Sequence, residues 1–132
     1  MVPEEVIALD VGERRIGLAR ANSVARLPEP LAAIDRKVLD STHKIAEMLN
    51  GLTPSLVLVG LPKNLKGDVT EQTGKSQAFS EEISGWLEVP VKLIDETLST
   101  VESSKWQSRY PDADEDSLAA CIILERYFTE KW

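Results

Sequence analysis

The chain has 132 residues, 42% of them apolar and 28% charged, the composition of a soluble globular protein with one domain spanning residues 1–132. Its single cysteine, Cys121, excludes an intramolecular disulfide and a multi-cysteine metal site, and fits a reducing, cytoplasmic setting. The net charge of −7 excludes a non-specific polyanion coat, because residues 76–132 hold five basic and twelve acidic residues against ten of each in residues 1–75. Local basic patches, or cations held by the acids themselves, remain open as routes to a polyanion. The acidic start Met-Val-Pro-Glu-Glu has no signal-peptide pattern. No apolar run approaches the ~20 residues that span a bilayer, so no membrane partner is expected.

An apolar run from Val6 to Leu9 ends in a carboxylate at Asp10, Gly12 permits a tight turn, and a second run covers Ile16 to Ala19. This predicts a hairpin with strands over 5–10 and 15–21, the first buried on both faces. Residues 24–34 read as a third, edge strand, since Pro28 and Pro30 remove ladder donors. Asp35 is a candidate N-cap for a helix from Arg36 to Asn50, where Val38, Ile45 and Leu49 form the apolar stripe and Asn50-Gly51 the stop.

Leu56-Val-Leu-Val-Gly60 is another buried strand, followed by a loop broken by Pro62, Asn64 and Gly67. The second helix starts near Thr70 or Thr73 and ends near Leu87, with Ala78, Phe79, Ile83, Trp86 and Leu87 on its buried face. Val91–Asp95 forms the last strand, with Glu96 at its carboxyl end. A third helix spans Thr100–Ser108 and is broken by Tyr110-Pro111. Asp112 can cap a fourth, strongly apolar helix, with Glu115 as its capping-box partner. The order βββαβαβαα predicts an α/β fold: a mixed five-stranded sheet, three antiparallel strands and then two parallel, with helices on both faces.

Asp10, Gly60 and Glu96 each fall at the end of a strand, where such sheets place their sites. Asp116, in the first turn of the last helix, is a third candidate acid. Three converging carboxylates repel one another unless a cation compensates, and hard oxygen ligands select Mg²⁺ or Mn²⁺. Two such ions can activate water and stabilise the leaving oxygen of a phosphodiester. Each acid also has a plainer reading: Asp10 as a turn residue, Glu96 as a first-turn helix charge, Asp116 as part of a solvated acidic helix start. Asp114 and Glu115 are assigned to that solvated run.

Leu9-Asp-Val-Gly-Glu-Arg-Arg-Ile-Gly-Leu-Ala19, Val59-Gly-Leu-Pro62, Asp95-Glu-Thr-Leu-Ser-Thr100 and Asp116-Ser-Leu-Ala-Ala-Cys-Ile-Ile-Leu-Glu-Arg-Tyr127 together resemble the YqgF/RuvX family. Its members are described as Holliday junction resolvases and as pre-16S rRNA nucleases. The resemblance covers nearly the whole chain. It implies an RNase H-like three-layer fold and a metal-dependent nuclease with Asp10, Glu96 and Asp116 as catalytic and metal-binding acids. It implies Mg²⁺ or Mn²⁺ as cofactor and nucleic acid as partner, most plausibly precursor rRNA trimmed at its 5′ end, or else branched DNA. A resolvase cutting two strands would want a homodimer, whereas an RNA-trimming enzyme could act as a monomer. One departure stands out. The family usually carries Arg directly after its Asp-Glu pair, where this chain has Thr97, which cannot grip a phosphate bidentately. Arg14, Arg15, Lys63 and Lys66 are the expected substitutes as phosphate contacts, with Asn64 shaping their loop for substrate.

Other residues read more simply. His43 is expected on an exposed helix face and Cys121 in the core, while Trp86 is expected in the core and Trp106 and Trp132 are open between packing and base stacking. Asp95 could replace Glu96 as ligand, but neighbouring strand positions point to opposite faces, so one of the two serves. Two other functions compete: a non-catalytic binding module that kept the fold, and a phosphate-binding loop of the actin/sugar-kinase type around Asp10-Val-Gly12. The latter needs two such domains to clamp a nucleotide.

Overall fold

The computed structural model describes residues 3–62, 66, 68–96 and 100–131. Three antiparallel strands, β1 (Glu5–Val11), β2 (Arg15–Asn22) and β3 (Glu29–Asp35), lead into α1 (Thr42–Gly51) and β4 (Leu56–Pro62). Then come α2 (Glu71–Ser84), β5 (Val91–Glu96), α3 (Thr100–Arg109) and α4 (Glu115–Lys131). The sheet order is β3-β2-β1-β4-β5, with β1, β4 and β5 parallel and β1, β2 and β3 antiparallel, as the element order predicts.

The period-two alternation of the strands divides the core into two layers. Val6, Ala8, Ala19, Leu58 and Ile94 face α4, whose Leu118, Ala120, Ile122, Ile123 and Leu124 cover them. Ile7, Leu9, Ile16, Val57 and Val59 face α1 and α2 through Ile45, Leu49, Phe79 and Ile83. The same alternation puts Asp10, Gly60 and Glu96 on the α4 side, since they continue the Val6-Ala8, Leu58 and Ile94 rows. α3 packs on α4 through Trp106, which is 0% exposed, so this tryptophan is core and not a stacking platform.

Several boundaries differ from the sequence expectation for local reasons. The edge strand begins at Glu29, not residue 24. Asn22 Oδ1 accepts hydrogen bonds from the Val24 and Ala25 amides, and Arg26 adopts a positive φ of 52°, which bends the chain out of the sheet. α1 begins at Thr42 under a Ser41 cap, whose Oγ accepts from Lys44 N at 3.2 Å. Asp35 instead closes a turn, accepting from Lys37 N at 2.9 Å, so Val38 stays 70% exposed and leaves the expected apolar stripe. α2 is capped by Thr70, and Thr73 returns the bond in a capping box, so both candidate threonines form one N-terminus.

The buried face of α2 is Thr73, Ser76, Phe79, Ser80 and Ile83, with Ala78 exposed. Trp86 lies beyond the end of that helix at 51% exposure, packed on the exposed His43 at 4.4 Å between ring centroids, and is therefore not core. The last helix is capped by Asp114, not Asp112: the Asp114 carbonyl accepts from Ser117 N and Leu118 N, both at 3.0 Å. Cys121 is buried in the core, as expected. Trp132 lies outside the described residues. Among the described residues no helix is long and apolar enough to cross a membrane.

Candidate functional site

Asp10 leaves β1 one residue before its end, and its Cα partner across the hairpin is Gly17. Gly17 is where α4 reaches the sheet. A Cβ there would fall 1.9 Å from the Asp116 carbonyl oxygen and 2.8 Å from the Ser117 amide, so only glycine admits the helix backbone this close. The β2–β3 register shifts between Ile16 and Leu18, and this irregularity flanks the docking point. The Ala33 amide donates to Asp114 Oδ2 at 3.0 Å, and the Leu18 amide donates to Ser117 Oγ at 3.2 Å. Two side chains of the α4 start are thus bonded to two strands, which holds Asp116 beside Asp10. Asp114 is consequently more than the solvated member of an acidic run that its sequence context suggests: half-exposed, it also anchors the helix start, and its other oxygen lies 3.9 Å from Arg15.

Glu96 arrives from the far side. It ends β5, is 2% exposed, and turns inward where Asp95 turns to solvent. Gly60 makes room for it: a Cβ at that position would lie 2.6 Å from Glu96 Oε2 and 2.5 Å from Ile123 Cδ1. Neither carboxylate oxygen of Glu96 has a hydrogen-bond partner among the described residues. A buried charge without partners is costly, and burial pushes the Glu96 carboxyl up to about 8. The Asp10 charge pushes in the same direction, Arg126 opposes it and Glu102 adds to it. Burial likewise raises Asp10 to about 6, with the Asp116 charge adding to the effect.

Asp10 is therefore electrostatically linked to Glu96 on one side and Asp116 on the other. The three do not close into one tight cluster: among the described residues no three His, Cys, Asp or Glu side chains are spaced to hold a single ion. The donor set still fits a divalent cation. All donors are hard oxygens, and the two unpartnered buried oxygens of Glu96 are the kind a cation satisfies.

The hairpin turn beside Asp10 is held from three directions. Gly12 N donates to Arg15 O at 2.9 Å and closes it. Arg36 Nη1 donates to Gly12 O at 2.7 Å, and Gln72 Nε2 donates to Val11 O at 2.7 Å. The Lys75 ammonium pairs with Glu13 at 2.8 Å. Exposed Arg14 and Arg15 line a groove of about 600 Å³ that includes Lys37 and ends at Asp116. A second cleft, of about 350 Å³, opens on the other side of Asp116 between α3 and α4 and reaches Asp10.

Of the expected phosphate contacts, Arg14 and Arg15 thus line the groove that Asp116 also lines. Lys66 is exposed and lines neither groove. Lys63, Asn64 and Thr97 lie outside the described residues. The sequence does not single out Lys37, Gly17 or Asp114 as parts of a site, and it marks Gly60 only by its strand-end position. The two glycines carry a signal, since glycine inside a strand pattern marks a bulge or a close approach. Lys37 carries none.

The family model described as "RuvX: Holliday junction resolvase" matches residues 4–130. A Bordetella pertussis protein named "Putative pre-16S rRNA nuclease" is 32% identical over 128 residues, covering 96% of this chain and 95% of its own. A Fusobacterium nucleatum protein of the same name is 35% identical over 133 residues, covering 95% of this chain and 96% of its own. Among solved structures, Thermus thermophilus RuvC in complex with Holliday junction substrate superposes with a TM-score of 0.60 at 15% identity, covering 97% of this chain and 95% of that one. A second T. thermophilus RuvC structure gives 0.59 at 13% identity, with 96% of each chain covered. At these identities the structural likeness shows the fold, the RNase H-like arrangement that the strand order already describes.

Proposed function

Because this chain belongs to the RuvX family of nucleases, we propose that it is a divalent-metal-dependent endonuclease of structured nucleic acid, acting in the cytoplasm on the 5′ end of precursor 16S rRNA. The observation that supports the metal dependence is Glu96, a buried carboxylate whose two oxygens have no hydrogen-bond partner among the described residues and whose side chain Gly60 leaves room for beside Asp10. Asp10, Glu96 and Asp116 would hold Mg²⁺ or Mn²⁺. Cations bound there supply activation of a water and neutralisation of charge on the phosphodiester.

The rest is performed by the chain. Arg14, Arg15 and Lys37 hold the substrate backbone in their groove and bring a phosphate to Asp116. The docked α4 start and the clamped hairpin fix Asp116 and Asp10, so little reorganisation accompanies the reaction. Water adds to phosphorus, the bond from phosphorus to one ester oxygen breaks, and a proton reaches that oxygen, leaving a phosphomonoester and a hydroxyl.

Calorimetric titration with Mn²⁺ tests this reading against a non-catalytic module that kept the fold. The endonuclease binds Mn²⁺, and Glu96→Gln weakens that binding while the protein stays folded. Folded wild-type protein that takes up no Mn²⁺ favours the module. Full Mg²⁺-dependent cleavage by Asp116→Ala would remove Asp116 from the catalytic set.

A further inference from the structure

The two grooves that meet at Asp116 differ in chemistry. The hairpin groove carries three cations, Arg14, Arg15 and Lys37, among the carboxylates of Glu13, Asp35 and Asp116, and those cations can contact a phosphate backbone. The α3–α4 cleft has no lysine or arginine among its lining residues, and carries Glu115 besides Asp10 and Asp116, so it repels a bare phosphate. Its floor is apolar, from Leu118 and Ile122, and its rim is neutral and polar, from Ser103 and Gln107. An apolar floor with an amide and a hydroxyl at the rim suits a planar heterocycle with hydrogen-bonding edges. A volume of about 350 Å³ admits one such group beside the acids.

The cleft is also held in shape. Trp106 is fully buried under α3 and lies parallel to Tyr110, with 6.2 Å between ring centroids. Lys105 pairs with Glu125 at 2.8 Å, and Arg126 pairs with Glu102 at 3.1 Å, so two ion pairs outside the cleft lining tie α3 to α4. Its walls are therefore preorganised.

We propose that the α3–α4 cleft seats one unpaired nucleobase of the substrate, that of a nucleotide flanking the bond to be cut, with the Gln107 amide on its edge and Leu118 and Ile122 beneath its face. The assignment rests on the nuclease reading and narrows its substrate: a base can enter only from a single strand or after leaving its stack. Paired, fully stacked duplex then presents the backbone to Arg14, Arg15 and Lys37 but leaves the cleft empty. The Gln107 side chain is exposed on α3, so its replacement leaves the core intact.

The test is fluorescence anisotropy of the full chain with short labelled single strands of RNA and of DNA, in Ca²⁺, each carrying one abasic position moved along the strand. An abasic site at one or two positions is expected to weaken binding about tenfold, as loss of a base–protein contact does, and to have little effect elsewhere. Gln107→Ala is expected to weaken the intact strand about fivefold and to leave the strand with the critical abasic site unchanged. Weakening at the same position in RNA and in DNA shows the base itself to be recognised, because an abasic ribonucleotide keeps its 2′-hydroxyl and loses only the base. The proposal is overturned if abasic sites have no effect at any position, if Gln107→Ala weakens intact and abasic strands equally, or if wild type binds blunt duplex as tightly as single strand. Failure of the nuclease reading is seen separately, as absence of Mg²⁺-dependent cleavage of any substrate by wild type.

Discussion

Glu96 lies in space that only Gly60 leaves open: a methyl group on Gly60 would stand 2.6 Å from Glu96 Oε2 and 2.5 Å from Ile123 Cδ1. Both atoms end flexible side chains, so the protein can accommodate alanine only by moving them. Gly60→Ala is expected to cost about 1–3 kcal/mol of stability. It should also lower Mn²⁺ affinity, because the displaced carboxylate is a proposed ligand. Urea unfolding and Mn²⁺ calorimetry on the same variant measure the two effects.

Gly17 predicts a harsher outcome. There the obstacle is backbone, with the Asp116 carbonyl oxygen 1.9 Å from where an alanine methyl would stand and the Ser117 amide at 2.8 Å. The α4 start must lift from β2, which breaks the Leu18–Ser117 bond and moves Asp116 away from Asp10. Gly17→Ala should cost about 3 kcal/mol or more. Its loss of cleavage should persist under conditions where the variant is still fully folded by circular dichroism.

The acids of the site make stability depend on pH in an unusual direction. Asp10 and Glu96 hold their protons to about 6 and about 8 in the fold, above their ordinary values of 3.8 and 4.5. Between those limits the folded state binds more protons than the unfolded state, so stability falls as pH rises. The metal-free protein should therefore be more stable near pH 5 than near pH 8, and Glu96→Gln should flatten that slope. Saturating Mg²⁺ should flatten the trend, because a bound cation displaces these protons from the fold. Melting temperatures with and without Mg²⁺ across that range provide the check.

Much of this arrangement is legible in the sequence. The two-sided apolar runs before Asp10 and Gly60 identify central strands, and alternation from Ile94 turns Glu96 inward while Asp95 faces out. The start of α1 is not legible, because Asp35 and Ser41 are both good caps and only the Asp35 turn onto Lys37 N decides between them. Trp86 reads as core only if α2 continues through it; the helix ends at Ser84 and leaves it outside the packed face. Asp114 reads as solvated because its partner, the Ala33 amide, lies 81 residues away in an edge strand. Lys37 joins the groove through the same turn that moves the helix start, which no local pattern reveals.

The cations of the hairpin groove predict how binding responds to salt. Arg14→Ala, Arg15→Ala and Lys37→Ala should each weaken strand binding, and each should reduce the slope of log K against log salt by about 0.7 on a single strand. Lys66→Ala, which lies off both grooves, should change that slope less. Fluorescence anisotropy over a series of salt concentrations measures all four variants.

The most direct measurement is cleavage itself. Wild type and Asp10→Asn are incubated side by side with Mg²⁺ or Mn²⁺, on precursor 16S rRNA and on a four-way DNA junction. Wild type should cleave the rRNA near its 5′ end in a metal-dependent manner, and Asp10→Asn should be slower by about 100-fold or more, as expected for loss of a group that stabilises the transition state. Equal cleavage by the two proteins, or no metal-dependent cleavage of either substrate by folded wild type, would contradict the account.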